Sequence, residues 1–190
     1  MSEIKDNGNA FAESIMGLTK ALNSTRKGEL ERPGRTIVGM NEGKLVQASD
    51  NDTEIFTFGV SGCNAVAIEG VCKDKRFGVI THYDPSNIQN NLLKIAQLGE
   101  QIGKSDKPEE VKAELFVRGD WENIGDKWEM KPKSPPEVER LTQSVKKAFG
   151  ENTSIKVSPY SEMLDISKKE QGQVTVNLTP TSSKRILGIF

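Results

Sequence analysis

Two segments with helical periodicity interrupt a sequence that otherwise resembles a series of short strands. In the first, SNIQNNLLKIAQLGEQIG, apolar residues recur every three to four positions, and Ser86 and Gln89 have the spacing of a capping box. In the second, SPPEVERLTQSVKKAFG, Ser134 precedes two prolines and Glu137 completes a capping box. A glycine closes each segment, so the sequence predicts two well-delimited amphipathic helices.

Strand-like stretches fill most of the remaining sequence. Residues 37–40 and 44–47 flank Asn41-Glu42-Gly43 and predict a hairpin with glycine at its turn. The other candidate strands are residues 54–58, 64–69, 77–83, 111–118, 154–158, 173–178 and 184–190. This order of elements predicts an α+β domain, in which a mixed β-sheet or β-sandwich core is flanked by helices.

The N-terminal residues 1–35 have the composition of an arm. An apolar stripe predicts a short amphipathic helix over residues 10–23, and the following NSTRKGELERPGR is typical of a linker. We therefore expect a flexible arm over residues 1–35 and one folded domain over residues 36–190.

The charge pattern excludes several classes of partner. The 26 basic and 27 acidic residues are interspersed and give a net charge of −1, which is unlike a nucleic-acid-binding protein. No apolar run approaches the roughly 20 residues of a membrane helix. The N-terminus is polar and acidic, unlike a secretory signal, so we expect a soluble monomer that stays in the cytoplasm or leaves by a signal-independent route.

Cys63 stands at a bend between two strand-like stretches in the segment IFTFGVSGCNAVAIEG. The small residues Gly59, Ser61 and Gly62 precede it, and glycine permits backbone conformations that expose the chain to a ligand. This pattern favours a thiol that is presented to a substrate. The alternative is that the glycines mark a β-bulge or a crowded strand crossing.

A hairpin closed around Cys72 and Lys73 would place His82 directly opposite Cys63. Its other cross-strand pairs are favourable: Ile68–Phe77, Val66–Val79, Asn64–Thr81 and Glu69–Arg76. His82 is the only histidine of the chain, so it is the one imidazole partner that the thiol can have. A thiol–imidazole pair can attack a carboxamide, protonate the departing nitrogen and activate water.

Backbone amides of the turn at Ser61, Gly62 and Cys63 could stabilise the oxyanion of such a reaction. Asn64 could assist there, although a strand-edge hydrogen bond is its more ordinary role. Asp84 could orient the ring of His82, or it could start the turn before the helix. With only two cysteines, a disulfide framework is excluded, and Cys72 is interpreted as a bystander at the hairpin tip.

Thr57-Phe58-Gly59-Val60-Ser61-Gly62-Cys63, followed by Thr81-His82-Tyr83-Asp84, resembles the Burkholderia lethal factor group of glutamine deamidases. The threonine six residues before the cysteine also occurs in the chemoreceptor deamidase CheD, and the cytotoxic necrotizing factor toxins share the SGC and histidine elements. The resemblance covers roughly residues 54–85. It implies that Cys63 is the nucleophile, that His82 is the general acid and base, and that Thr57 orients His82.

The resemblance further implies a cofactor-free and metal-free hydrolase of the CheD and necrotizing-factor fold. Such an enzyme converts a glutamine side chain of a protein substrate to glutamate, and it could be a toxin or effector that acts on a host protein. The segment CNAVAIEG…GVITHYDPS also looks like the N-terminal asparagine amidohydrolase, and a transglutaminase would pass through the same thioester. The remaining alternative is a non-catalytic binding module, in which Cys63 and His82 are core residues and the tryptophan loop or the N-terminal arm contacts a partner. Separately, Trp121 and Trp128 could belong to a substrate-recognition lid, or they could hold their loop on the core.

Overall fold

The computed structural model describes residues 33–48, 53–60, 62–103, 107–160 and 173–178. In these ranges the chain has an α+β fold with nine strands and two α-helices. The strands are β1 (Arg35–Val38), β2 (Glu42–Gln47), β3 (Thr53–Thr57), β4 (Asn64–Cys72), β5 (Lys75–Tyr83), β6 (Glu109–Ile124), β7 (Lys127–Pro132), β8 (Ser154–Tyr160) and β9 (Val174–Leu178). The helices are α1 (Ile88–Gly103), which follows a 3₁₀ turn at Pro85–Asn87, and α2 (Pro135–Phe149). The predicted helix over residues 10–23 and the predicted strand over 184–190 lie outside the described residues.

The strands form two sheets. The larger sheet has the order β2-β5-β4-β6-β7, and β8 pairs with β6 in parallel, whereas the smaller sheet has the order β1-β3-β9. The parallel pairs β1–β3 and β6–β8 make both sheets mixed, as the sequence predicted. None of the helices in the described ranges is long and apolar enough to cross a bilayer.

The larger sheet is covered on both faces by apolar side chains. One face packs against the two helices, with Val66, Val79 and Leu115 meeting Ile95 of α1 and Leu141 of α2. The other face packs against the smaller sheet in a second cluster, whose members are Val38, Ile55, Val60, Ala65, Ala67, Ile80, Val174, Val176 and Leu178. We call this second region the inter-sheet layer. Side chains alternate between the two faces along each strand, so a residue's position in its strand decides which layer it enters.

The hairpin β4–β5 has a different register from the predicted one. Its two turn residues are Lys73 and Asp74, which both adopt positive φ, and Ala65 rather than Cys63 pairs directly with His82. Two-residue hairpin turns of this kind require positive φ at both positions, and aspartate tolerates this conformation better than most residues. The shift by two residues keeps every side chain on its predicted face because the side-chain period of a strand is two.

Packing on the helix-facing side supports the observed register. Gly70 pairs with Phe77, and a Cβ atom at Gly70 would lie 2.7 Å from the ring of Phe77, so the ring occupies the space that the glycine leaves. Glu69 and Arg76 still form the expected ion pair, at 3.8 Å, although they lie diagonally rather than directly opposite each other.

The predicted hairpin around Asn41-Glu42-Gly43 is wrong. Strand β1 pairs with β3 in the smaller sheet, whereas β2 pairs with β5 in the larger one, so the turn connects the two sheets. Asn41 adopts positive φ, and its N–H donates to the His82 carbonyl at 2.6 Å. Local turn signals identified the bend but could not specify the partners of the flanking strands.

The predicted capping boxes do not form either. Asp84, not Ser86, caps the segment before α1, because its Oδ1 accepts hydrogen bonds from the Ser86 amide at 2.8 Å and hydroxyl at 2.6 Å. Ser134 makes no side-chain capping bond at α2, and Glu137 accepts instead from the Asn64 side chain at 2.6 Å. Both helices nevertheless lie close to where the sequence placed them.

The tryptophan-containing segment, predicted as a loop, is a two-stranded ribbon. Its pairs run from Gly119–Pro132 to Ile124–Lys127, beyond the pairing of β6 with β4. Trp121 is 58% exposed and Trp128 is 66% exposed, so neither tryptophan holds a loop on the core. They lie on the same face of the ribbon, because Trp128 pairs with Asn123, two residues beyond Trp121.

Candidate active site

His82 and Thr57 meet in the inter-sheet layer. His82 lies near the end of β5 on the face that carries Ile80, and Thr57 is the last residue of β3 in the opposite sheet. The Thr57 Oγ1 and His82 Nδ1 atoms are 2.8 Å apart, within hydrogen-bonding distance. The same hydroxyl donates to the Val38 carbonyl at 2.7 Å, so the contact joins two sheets through three strands.

These contacts determine the tautomer of His82. A threonine hydroxyl has one proton, and Thr57 donates that proton to the Val38 carbonyl. The hydroxyl can therefore only accept from His82, which requires the proton of a neutral ring to be on Nδ1. The Nε2 atom is left with its lone pair available, as a general base requires.

The Nε2 atom of His82 is buried without a hydrogen-bond partner among the described residues. The residue is only 2% exposed, and desolvation by this burial lowers the pKa of His82 from 6.5 to about 4. A buried polar atom without a partner is costly and is often found at functional sites. At neutral pH the ring is uncharged, and Cys63 stands two residues before Ala65, which pairs with His82.

Cys63 follows a tight turn that enters β4. The Cys63 N–H donates to the Val60 carbonyl at 2.8 Å, and Gly59 and Gly62 have φ values of +70° and +77°. A Cβ atom at either glycine would meet nothing within 4 Å, so crowding does not explain these glycines. Their positive φ values explain them, because L-residues with side chains rarely adopt this conformation.

Tyr160, two strands away from β4 in the same sheet, holds this turn. It is the last residue of β8, and its hydroxyl contacts the Val60 carbonyl at 2.5 Å and also the Cys63 carbonyl. The two carbonyls flank the turn on both sides. Tyr160 therefore restrains the backbone from which the Cys63 side chain extends.

The strand register shows which residues surround Cys63. Ala65 pairs with His82 on β5 and with Phe116 on β6, and residues two positions farther along a strand share its face. Cys63 and Asp84 lie just outside β4 and β5, and if the register is continued by one step beyond Ala65, Cys63 falls between the positions of Asp84 and Arg118. Tyr160 pairs with Arg118 and extends the same row. Cys63 is thus diagonal to His82, and no hydrogen bond joins them, since Nε2 has no partner among the described residues.

The thiol of Cys63 is protonated at neutral pH in these surroundings. Burial raises its pKa, the negative charge of Asp84 raises it further, and the positive charge of Arg118 lowers it. Combined with the low pKa of His82, this makes the resting pair a neutral thiol and a neutral imidazole. A preformed thiolate–imidazolium pair is not the resting state.

Two predicted support residues take other positions. Asn64 lies on the helix-facing side of β4, where its amide donates to Glu137, so it matches the strand-edge role better than an oxyanion role. Asp84 accepts from Ser86 and starts the 3₁₀ turn, while Thr57 occupies the ring nitrogen that Asp84 was considered to orient. These hydrogen bonds from Ser86 lower the pKa of Asp84, so its carboxylate is charged.

The predicted oxyanion turn is only partly described. Ser61 lies outside the described residues, and Gly62 occupies the turn with its backbone in the left-handed region. The Cys63 amide, which was a candidate donor, is already engaged by Val60. Three neighbours of the site, namely Arg118, Tyr160 and Glu137, were not predicted from the sequence. Of these, Arg118 ends a predicted strand, so it could have been identified if the pairing of β4 with β6 had been known.

Two comparisons with known proteins assign no family to the chain. A scan against models of protein families matched none of them, and a search of curated proteins found no match. Within the described ranges, no three His, Cys, Asp or Glu residues are grouped so that they could hold a metal ion. The chemistry of the site therefore depends on what Thr57, Cys63 and His82 themselves can do.

Proposed function

We propose that the protein is a cysteine-dependent amidohydrolase that deamidates a glutamine side chain in a protein substrate. The observation that carries the proposal is the Val38–Thr57–His82 chain of hydrogen bonds. It fixes the Nδ1–H tautomer and leaves Nε2 as a buried acceptor on His82, whose strand partner Ala65 lies two residues after Cys63. Glutamine and the protein substrate are taken from the resemblance to the deamidase toxins.

The first half of the reaction forms a thioester. The Cys63 thiol transfers its proton to Nε2 of His82 as the sulfur attacks the carboxamide carbon, and the carbonyl π electrons move to oxygen. The tetrahedral intermediate then collapses. The carbon–nitrogen bond breaks, the imidazolium returns the proton to nitrogen, and ammonia leaves.

The second half consumes one water molecule. Nε2 of His82 takes a proton from the water as its oxygen attacks the thioester carbon, and the sulfur departs as the second intermediate collapses. The proton held by His82 returns to the sulfur, and the product acid ionises in solution. Thr57 keeps the ring oriented through both halves, because its hydroxyl accepts from Nδ1–H in either charge state of the ring.

The low pKa of His82 favours proton transfer during attack over a preformed ion pair. Neither group is charged before the substrate binds, so no buried charge has to be maintained in the resting enzyme. A neutral thiol and a neutral imidazole need a group that stabilises negative charge only during attack, when that charge develops. Substrate binding would also bring thiol and imidazole together, since catalytic hydrogen bonds are often long before the substrate binds.

The exposed ribbon supports a macromolecular substrate. Trp121 and Trp128 are solvent-exposed on one face of β6–β7, and tryptophan is enriched where proteins contact each other. Strand β6 connects this ribbon to Arg118, beside the candidate nucleophile. A protein that presents a glutamine to Cys63 would thus have an aromatic surface within reach.

The test compares wild type, Cys63→Ser and Cys72→Ala after incubation with a cell lysate in ¹⁸O-water. Wild type and Cys72→Ala should convert specific glutamines to ¹⁸O-labelled glutamate, detected by mass spectrometry, and Cys63→Ser should not. Cys72 is the matched control because it is the other buried thiol, at the far end of β4 from Cys63.

Three outcomes distinguish the alternatives. Equal conversion by wild type and Cys63→Ser would contradict the proposal. Cys63-dependent incorporation of an added primary amine, without ¹⁸O, would indicate a transglutaminase. Conversion only at N-terminal asparagine or glutamine would indicate an N-terminal amidohydrolase.

A further inference from the structure

Negative charge develops on the Cys63 sulfur as the thiol proton leaves, and this charge needs a stabilising group near the sulfur. The Cys63 amide is already bound to the Val60 carbonyl in the tight turn. The neutral ring of His82 becomes positive only after it has accepted the thiol proton. A fixed positive charge beside the sulfur would lower the barrier to that transfer.

The row of residues at this end of the larger sheet provides such a positive charge. Ala65 pairs with Phe116, and two residues farther along β6 the same face carries Arg118, next to the position of Cys63. Arg118 pairs in turn with Tyr160, whose hydroxyl contacts the Cys63 carbonyl and thereby links this part of the row back to the turn. The pairing therefore places Arg118 on the strand beside the candidate nucleophile, and its positive charge acts on the thiol.

Asp84 occupies the opposite side of Cys63 in the same row, where β5 ends. Its charge acts on the thiol with the opposite sign to that of Arg118. The other ionisable groups near the row are His82, Tyr160 and, at the start of α2, Glu137, which also lies within the field of Arg118. Arg118 is the one cation whose charge acts on Cys63 among the groups described here.

We propose that Arg118 is a catalytic residue that stabilises the Cys63 thiolate as the thiol proton moves to His82, and that Asp84 opposes it across the row. A guanidinium carries five N–H donors, so it can serve the sulfur together with other partners. The proposal rests on the nucleophilic role of Cys63. It adds that the reactivity of the thiol is set by a balance of two charges on the neighbouring strands.

The experiment measures alkylation of Cys63 by iodoacetamide against pH, without any amide substrate. The thiolate displaces iodide from the reagent, so the rate follows the thiolate fraction, and mass spectrometry of the Cys63 peptide excludes a contribution from Cys72. Arg118→Gln should slow alkylation at pH 8 by roughly three- to tenfold, and Asp84→Asn should accelerate it by a similar factor. Asparagine retains the oxygen that caps the 3₁₀ turn, which keeps this second variant folded.

Arg118→Lys and Arg76→Gln are the matched controls. Lysine keeps the positive charge and should hold the rate within about twofold of wild type. Arg76 lies at the other end of the β4–β5 hairpin, opposite Val71, so its loss should leave the rate unchanged. An unchanged or faster rate in Arg118→Gln would overturn the proposal. A slower or unchanged rate in Asp84→Asn would also overturn it. If Arg118→Gln does not fold, the Asp84→Asn variant alone decides the question.

This experiment is independent of the test of deamidation. If no substrate is ever deamidated but the two variants shift alkylation in opposite directions, the charge balance stands and the amidohydrolase proposal fails. If Cys63-dependent deamidation is observed but the variants do not shift alkylation, the role of Arg118 fails and the proposed function stands.

Discussion

The two cysteines lie at the two ends of β4, Cys63 just before its first residue and Cys72 as its last, and their surroundings differ. Cys72, the last residue of β4, is 7% exposed and packs among apolar side chains of the helix-facing core, with its sulfur 3.8 Å from the Ile102 carbonyl. Cys63, just before β4, is 5% exposed, and the charges of Asp84 and Arg118 both act on its thiol. Burial alone does not distinguish them.

The two thiols differ in the conformation of the backbone around them and in the charged side chains nearby. Cys72 is held within a regular hairpin, whereas Cys63 follows a turn that requires Gly62 in the left-handed region. Cys72 is surrounded by apolar side chains of the helix-facing core, whereas two charged side chains, Arg118 and Asp84, act on the thiol of Cys63. The variants below are designed to remove this difference, beginning with the largest expected effect.

Loss of the imidazole should have the largest effect on activity. His82→Gln should lower kcat by roughly 10² to 10⁴, the range of general acid–base catalysis, while the fold is retained. Activity is measured as the rate of glutamate formation, and folding by circular dichroism. Thr81→Val is the matched control on the other face of β5, where the Thr81 hydroxyl has no partner among the described residues, and it should not lower activity. A His82→Gln enzyme with more than a tenth of wild-type kcat would contradict the assignment.

Thr57 should show the next largest effect. Thr57→Val keeps the shape of the side chain but leaves the Val38 carbonyl and His82 Nδ1 without their buried partner. We expect kcat to fall roughly tenfold to hundredfold and the free energy of unfolding to fall by about 1–3 kcal/mol. Thr57→Ser, which keeps the hydroxyl, should recover most of kcat. Failure of serine to exceed valine would show that the hydroxyl does not position the ring.

The low pKa of His82 predicts a pH dependence of stability. The unfolded chain binds a proton near the ordinary value of 6.5, whereas the folded protein binds it only near pH 4. Stability should therefore fall as the pH drops from about 6.5 to 4, by about 3 kcal/mol in total from this one group. Urea unfolding of wild type and His82→Gln across this range isolates the contribution, because the carboxylates are common to both proteins. Parallel curves would contradict a buried neutral histidine.

Tyr160→Phe should have the smallest effect. It removes the hydroxyl that contacts the Val60 and Cys63 carbonyls but preserves the ring. We expect kcat to fall roughly threefold to tenfold, with little change in the pH dependence of Cys63 alkylation, because the charges around the thiol are unchanged. An unchanged kcat would show that the turn holds its shape without this contact.

The sequence predicted local elements well and their pairing less well. That Cys63 and His82 share a face stays a prediction, because Cys63 lies just before β4. The helices and most strands were predictable, because periodicity encodes faces and a two-residue slip preserves them. The exact register was not, since it depends on the Lys73–Asp74 turn and on the Phe77 ring that covers the neighbouring glycine.

Contacts between distant segments were beyond the reach of local patterns. The partners of β1 and β2 lie in different sheets, and Arg118 reaches the site through the pairing of β4 with β6. Glu137 was expected to cap its own helix but binds Asn64 instead. Thr57 was singled out only through the family resemblance, because its contact with His82 crosses from one sheet to the other.

The most direct test of the account is the protonation state of the ring itself. His82 is the only histidine of the chain, so ¹⁵N-histidine labelling gives one pair of ring nitrogen signals. We predict a protonated Nδ1 and an unprotonated Nε2 that do not change between pH 8 and about pH 5.5, given a pKa of about 4. A ring protonated on Nε2, or an imidazolium at pH 7, would contradict the role of Thr57 and the neutral resting pair.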